Sequence, residues 1–305
     1  MIRNVQTRDY GIIAEIHNAC WPSHPTTAEA QLRLDRSFGR ERFVFERRGE
    51  VIGQSFLETR SQTAYLDLSV RPDCQGRGFG SRLYTFFAPR FRKMPSVTCL
   101  VREDHPFALG FAVQRGFREV QRSWHQSLDV SRFDSAPFRD LGMELERDGY
   151  VIKSFASITD PDRERKLHAL YAKTSLDVPG VTDIPDFERY RARTFESDLF
   201  VADATLVALK DGEWVGHTGT HQRTPDAPLE WHTGMTGVLR EHRGRGLALA
   251  LKLHAIELAR ARGILEIHTN NASTNAGMLA LNAKLGFVHG AAQIQLERTP
   301  SGTQV

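Results

Sequence analysis

The chain has 305 residues, a net charge of +3, 40% apolar and 25% charged residues. That length favours two domains of ordinary globular composition. Three scattered cysteines (Cys20, Cys74, Cys99) exclude a disulfide framework and a four-ligand zinc site. Charge interrupts the N-terminal MIRNVQTRDYGIIAEIHNAC too often for a secretory apolar region, and no apolar run approaches the roughly 18 residues of a membrane span. A cytoplasmic setting with no membrane partner is expected.

In chain order, Ala14–Asn18 and Thr27–Phe38 read as helices. Phe43–Glu46 and Val51–Glu58 read as strands around a turn at Arg48-Gly49-Glu50, and Ala64–Val70 as a third. Gly78–Arg92 is a helix, Val97–Val101 a strand and Pro106–Arg115 a helix with proline at its start. The stretch Asp129–Asp148 is polar, with Pro137 and Gly142, and reads as a linker. Beyond it, Asp162–Lys173 and Asp186–Glu196 are helices, and Leu199–Lys210 and Glu213–His221 strands about Asp211-Gly212. Glu230–Val238 is a strand, Gly246–Arg262 a helix closed by Gly263, Ile264–Thr269 a strand and Ala276–Leu285 a helix closed by Gly286. The pattern is a mixed α/β sheet.

The order repeats. LDLSVRPDCQGRGFGSRL (66–83) aligns with GMTGVLREHRGRGLALAL (234–251), so that Val70 matches Val238 and Gly78 matches Gly246, 168 residues apart. Arg115-Gly116-Phe117 matches Leu285-Gly286-Phe287, 170 apart. Two copies of one domain are predicted, at 1–135 and 148–305. Residues 1–147 carry 22 basic and 18 acidic side chains, and residues 148–305 carry 18 and 19. Neither half is a basic nucleic-acid surface, and the 33 arginines (against seven lysines) are not clustered, so no nucleic-acid partner is expected.

In each copy a glycine-rich turn joins a strand to a helix: Gln75-Gly76-Arg77-Gly78-Phe79-Gly80 and Arg243-Gly244-Arg245-Gly246-Leu247-Ala248. Small residues let a ligand approach the backbone, and the unpaired amides of the first helical turn favour an anion. A dinucleotide fingerprint would need a third glycine where Ser81 and Leu249 stand, and a Walker loop would need Gly-Lys-Ser/Thr. A close-packed strand–helix corner is the structural alternative.

Gln/Arg-x-x-Gly-x-Gly/Ala after a strand, followed some forty residues on by Leu-Gly-Phe, resembles the GNAT superfamily of N-acetyltransferases in tandem form. The resemblance implies two GNAT-like acyl-CoA N-acyltransferase domains. It implies acetyl-CoA as co-substrate, without a metal, and a small-molecule amine as acceptor. Pantetheine would lie between two splayed strands, bonded to backbone near Val70 or Val238, with the pyrophosphate on the turn amides. Asn271 and Asn275 would complete the second cofactor site. The family's tyrosine three residues before Leu-Gly-Phe is replaced by Asn282, and by Ala112 in the first copy.

Acetylating an alkyl amine of pKa about 10.4 costs roughly 4.6 kcal/mol for deprotonation at pH 7, against about 2 kcal/mol for a thiol leaving group of pKa about 8.5. A base is therefore the larger need, and Asn282 could still bond the sulfur or a water. Glu230, His232 and Gly234 alternate onto one strand face, and either Glu230 or His232 could take the proton. The first copy has Gln62 and Ala64 there, and Asp67 matches Met235 on the opposite face. Catalysis is thus expected in the second copy, with the first as a cofactor-binding or structural partner. The rival from another class is a non-catalytic acyl-CoA sensor.

Other features carry less. His217 and His221 share a strand face without a third ligand. Leu247, Leu251 and Leu258 form a core-facing stripe. The acceptor pocket is expected from Cys20–Pro25 in the first copy and Ser175–Pro185, with Asp177 and Asp183, in the second.

Overall fold

The structure is a computed structural model that describes residues 1–22, 24–60, 63–91, 94–105, 107–179, 181, 184–224 and 227–299. The first copy runs β1 (Ile2–Asn4), α1 (Tyr10–Cys20), α2 (Ala28–Phe38), β2 (Glu41–Arg47), β3 (Glu50–Arg60), β4 (Thr63–Val70), α3 (Phe79–Phe91), β5 (Ser96–Arg102), α4 (Ala108–Val113) and β6 (Arg118–Asp129). Then come α5 (Leu141–Arg147), β7 (Tyr150–Ser154), α6 (Arg163–Ser175), α7 (Phe187–Thr194), β8 (Leu206–Lys210), β9 (Glu213–Gln222), β10 (Glu230–Val238), α8 (Leu247–Ala261), β11 (Glu266–Ala272), α9 (Ala276–Lys284) and β12 (Val288–Arg298). The fold is mixed α/β.

The chain folds as two compact units, but they are not contiguous in sequence. One is Met1–Arg122 completed by the segment from Ala291 onward; the other is Ser123–Gly290. Within the first, strands run in the order β1-β2-β3-β4-β5-β12; within the second, β6-β11-β10-β9-β8-β7. The last strand of each copy has changed places. Gln293 of β12 faces Arg102 of β5, and Ser123 of β6 faces Ala272 of β11. Both members of the second pair differ from their counterparts by 170, so the two exchanged strands keep one register. The contiguous division at 1–135 and 148–305 therefore differs from the compact units. Similar strand patterns at the two copy ends satisfy either partner, and nothing local in the sequence distinguishes them.

The stretch read as linker is partly folded. Pro137 lies in a 3-10 turn (Ala136–Phe138), and Leu141 and Leu145 of α5, four residues apart, pack with Tyr150 and α8. The strand expected over Leu199–Lys210 begins only at Leu206, because the amides of Ala204 and Thr205 close a turn on the Val201 carbonyl.

Helices cover both faces of each sheet. In the second unit Trp231 and Ile267 pack with Leu253 and Ile256 of α8. Leu247 and Leu251 are buried and Leu258 packs beside them, so the apolar stripe is core. On the other face Thr174 of α6 meets His217 of β9, Oγ1 to Nε2, at 3.0 Å. Alternation along β9 and β10 puts His221 and His232 on that α6 side.

Candidate active site

The only parallel strand pair in each unit, among the described residues, is the one beside the glycine turn. Strands β10 and β11 pair at Glu230↔Glu266, Trp231↔Ile267 and His232↔His268, and no further. Strands β4 and β5 pair at Thr63↔Ser96, Ala64↔Val97 and Tyr65↔Thr98 before parting. Each fork leaves strand backbone facing a gap, as pantetheine would require. The forks are not alike. Strand β10 carries a bulge between Thr233 and Thr236, whereas β4 pairs with β3 in unbroken register. The bulge shifts the alternation, so Met235 accepts from Ser175 Oγ at 3.1 Å on the α6 side. Met235 is thus not on the face opposite Glu230 and His232, where strict alternation places it.

Both turns have one design. A 3-10 turn follows the strand (Pro72–Cys74, Arg240–His242), and both glycines that follow take positive φ: Gly76 and Gly78 at 72° and 81°, Gly244 and Gly246 at 76° and 83°. The leading polar side chain clamps the strand it follows. Gln75 Nε2 donates to Val70 O at 2.8 Å, and Arg243 Nε to Val238 O at 2.9 Å. These two side chains shape the turn. Gly246 caps α8 without a side-chain partner, which leaves the amides of Leu247 and Ala248 as donors. Leu247 itself points into the core. Arg77 and Arg245, each between the two glycines of its own turn, are exposed.

In the first unit the fork and turn enclose a cavity of about 450 Å³, lined by Val70, Gln75, Gly76, Gly78, Phe79 and Gly80 among others. Cys20, Cys74 and Cys99 also line it. Burial pushes the Cys20 thiol up to about 11 and the Cys99 thiol to about 12, so neither is a thiolate nucleophile at neutral pH.

The second unit instead carries a row of polar side chains across its fork. Glu230 receives the Arg223 guanidinium, and its Oε2 lies 3.2 Å from His268 Nε2. Glu266 Oε2 lies 3.2 Å from the same nitrogen. His268 Nδ1 is 3.3 Å from His125 Nε2, and the two rings stack. His125 Nδ1 is 3.3 Å from Asn270 Oδ1, and Asn270 Nδ2 is 3.2 Å from His232 Nε2. His232 stacks on His221 with centroids 4.8 Å apart. Burial, followed by the charges of Arg223 and His125, pushes His268 down to about 4. Burial also lowers His125 and His221. These rings are neutral at pH 7.

The structure thus joins Glu230 and His232 through residues that the sequence reading missed: Arg223, His268, His125 and Asn270. Position alone held a signal for two of them, since His268 and Asn270 alternate with Glu266 on one strand. His125 had none, because its strand belongs to the other copy in sequence. Glu230, Glu266 and His268 bring potential metal-ligand atoms within 4.8 Å of one another, but the Arg223 guanidinium holds that corner. A bound cation would have to displace it.

Asn282 is fully buried on α9, and its Nδ2 donates to Gln126 Oε1 at 2.8 Å. Asn271 Nδ2 donates to the same oxygen at 3.0 Å. The Asn282 amide is committed to β6, while its Oδ1 is buried with no hydrogen-bond partner among the described residues. Asn275 caps α9, its Oδ1 accepting from Met278 N at 3.2 Å. Asp177 pairs with Arg240 and Arg243, and these guanidiniums hold its carboxyl far below the usual range. It tethers the α6–α7 connection to the glycine turn, which is a different task from attracting an amine. Asp183 and Gln62 lie outside the described residues.

Two forked parallel strand pairs, each beside a glycine turn that opens a helix, define a tandem acyltransferase architecture. The sequence pattern of the Acetyltransferase (GNAT) family matches residues 10–117 and 166–287, and the chain belongs to that family as a tandem N-acetyltransferase. It is 26% identical over 268 residues to a mycothiol acetyltransferase of Amycolatopsis mediterranei, covering 85% of each chain. It is 27% identical over 236 residues to one of a Nocardioides species, covering 74% of this chain and 77% of the other. In fold it is similar to a GCN5-related N-acetyltransferase from Sphaerobacter thermophilus, with a TM-score of 0.72 and 19% identity over 100% of this chain and 97% of the other. A tandem GNAT protein from the clavulanic acid biosynthesis pathway gives 0.71 and 21%, over 100% and 99%. No described helix is long and apolar enough to cross a membrane.

Proposed function

We propose that the second unit moves acetyl from acetyl-CoA to a primary amine of a small molecule, by direct attack in a ternary complex. The observation that carries this reading is the place of His232: it is the last paired residue of β10 before the strands part. A thioester in the gap between β10 and β11 would lie beside its imidazole. The Leu247 and Ala248 amides would hold the pyrophosphate, and backbone near Val238 the pantetheine. His232 would take the amine proton, with Glu230 acting behind it through the polar row. The name shared by the relatives, mycothiol acetyltransferase, supports a small-molecule acceptor.

The first unit suits a quieter role. It has the cavity and the turn, but Ala64 stands at the fork, and β4 has no bulge. We read it as an acyl-CoA-binding partner without transfer activity. Calorimetric titration with acetyl-CoA tests both statements. Two equivalents per chain are expected, and no binding at millimolar ligand would remove the reading. Replacing Glu230→Gln and His232→Gln together should lower turnover by about 10²- to 10⁴-fold, the usual range for a lost base. Acetyl-CoA affinity should stay unchanged; undiminished CoA release would sink the assignment.

A further inference from the structure

The two glycine turns are built alike, but what stands behind their helices differs. In the first unit Arg82 is the first residue of α3 whose amide is bonded, to Gly78 O at 3.2 Å, so the amides of Phe79, Gly80 and Ser81 have no acceptor within the helix. Arg115, just before Gly116-Phe117, reaches this same first turn. Its Nη2 donates to Ser81 Oγ and its Nη1 to Phe111 O, both at 2.8 Å, and the guanidinium lies 3.5 Å from the centroid of the Phe111 ring. A guanidinium only donates, so Ser81 Oγ is the acceptor in that bond. The hydroxyl hydrogen is left over, and no described residue accepts it.

Arg115 and Ser81 both line the cavity of about 450 Å³, and none of the described residues lining it is acidic. Arg102, the other arginine there, is held by Asp104 through Nε and Nη2. Arg115 has no such carboxylate among the described residues, and burial pulls it below its ordinary pKa. A half-buried cation without a counter-charge favours an anion in its place.

The second unit makes the same contact in apolar form. Leu249 matches Ser81 and Leu285 matches Arg115, 168 and 170 residues on. Leu285 is buried in one cluster with Leu253 and Phe287, and Leu249 packs against it. The corner therefore needs no cation to hold its shape. The second turn's own arginines, Arg240 and Arg243, share the carboxylate of Asp177. Arg77 and Arg245 match each other and do not separate the two turns.

We propose that Arg115, acting through Ser81, makes the first unit the tighter of two unequal acyl-CoA sites: a cofactor phosphate accepts from the Ser81 hydroxyl and the amides of Phe79, Gly80 and Ser81, with Arg115 as its counter-charge. The inference rests on the reading of both units as acyl-CoA sites. A unit without a base can keep its cofactor, whereas the unit that carries His232 must release CoA at each turnover. The weaker grip of the second turn suits that exchange.

The test is titration of the full-length protein with acetyl-CoA by calorimetry, and with S-acetylpantetheine, which has the thioester arm but no phosphate, by ligand NMR. Acetyl-CoA should bind in two steps whose Kd values differ by about 10-fold or more, the worth of a charge-assisted hydrogen bond. Arg115→Leu, which copies the second unit, should weaken the tight step about 10- to 100-fold and leave the weak step where it is. Arg115→Lys should keep most of the tight affinity, because it keeps the charge. Ser81→Ala should weaken the same step, and it serves where Arg115→Leu folds poorly. S-acetylpantetheine should bind alike to all four proteins. Two equal sites in the unmodified protein, or a tight step unchanged in Arg115→Leu, would overturn the proposal. So would an Arg115→Leu protein that loses as much affinity for S-acetylpantetheine as for acetyl-CoA, which would make Arg115 a packing residue. Inorganic pyrophosphate separates the proposal from the reading beneath it. In a protein that binds no acetyl-CoA, pyrophosphate binding that disappears in Arg115→Leu would uphold the anion site and remove the acyl-CoA reading alone; absence of pyrophosphate binding as well would remove both.

Discussion

Glu230 and His232 show how far a residue can be read from its neighbours in sequence. Alternation along β10 placed both on one face, and they are there. What alternation could not supply was company: Arg223 two positions beyond His221, His268 on the paired strand and His125 on the exchanged one. Asn282 teaches the converse. Its place before Leu-Gly-Phe suggests the cofactor sulfur, yet its amide is spent on Gln126 beneath α9. His217 belongs to the same scale. Burial pushes it down to about 4, with Thr174 Oγ1 at its Nε2. The unfolded chain protonates this ring below about 6.5 while the folded one does not. Its stabilising effect is thus complete above pH 6.5 and is lost as pH falls toward 4, by about 3 kcal/mol. Thermal melts across pH 7 to 4 should show that slope, and His217→Gln should reduce it, leaving the part due to His268, His125 and His221, which burial also lowers.

The elements differ in how much of them is local. Helices α2, α7 and α9 start at side-chain caps visible in sequence: Thr27, Asp186 and Asn275 accept from the amides of Ala30, Arg189 and Met278. The glycine turns were legible because positive φ at four positions leaves little choice of residue. They are not equally tolerant. A Cβ on Gly78 meets open space, whereas one on Gly246 would lie 2.8 Å from Leu141 Cδ1. Gly78→Ala should cost about 1–2 kcal/mol from backbone strain alone. Gly246→Ala should cost measurably more, in denaturant melts of the two variants side by side. The bulge in β10 left no comparable mark, since Thr233-Gly234-Met235-Thr236 reads as ordinary strand. It comes from the pairing with β9, where the register shifts by one.

At the scale of the molecule, the exchange of β6 and β12 decides what can be cut. Residues 1–135 alone lose β12 and its six pairs with β5, from Gln293↔Arg102 to Arg298↔Val97, so β6 must take that edge, which it does not use in the full chain, or leave it open. Such a fragment should melt below the full chain in scanning calorimetry. Appending residues 288–299 through a flexible linker should recover the lost stability. A fragment starting at 148 should be weakened in the same way, with β12 the one strand left to replace β6 against β11.

The sequence by itself determined the repeat, the mixed α/β class and the two glycine turns. Each of these is written in short stretches, where φ, alternation or spacing constrains residue type directly. Only the tertiary structure decided which strand completes which unit, because two strands of like pattern fit either edge. It also decided the polar row, because hydrogen bonds between β6, β10 and β11 join residues as far apart as His125 and His268. No local pattern records a contact across that distance.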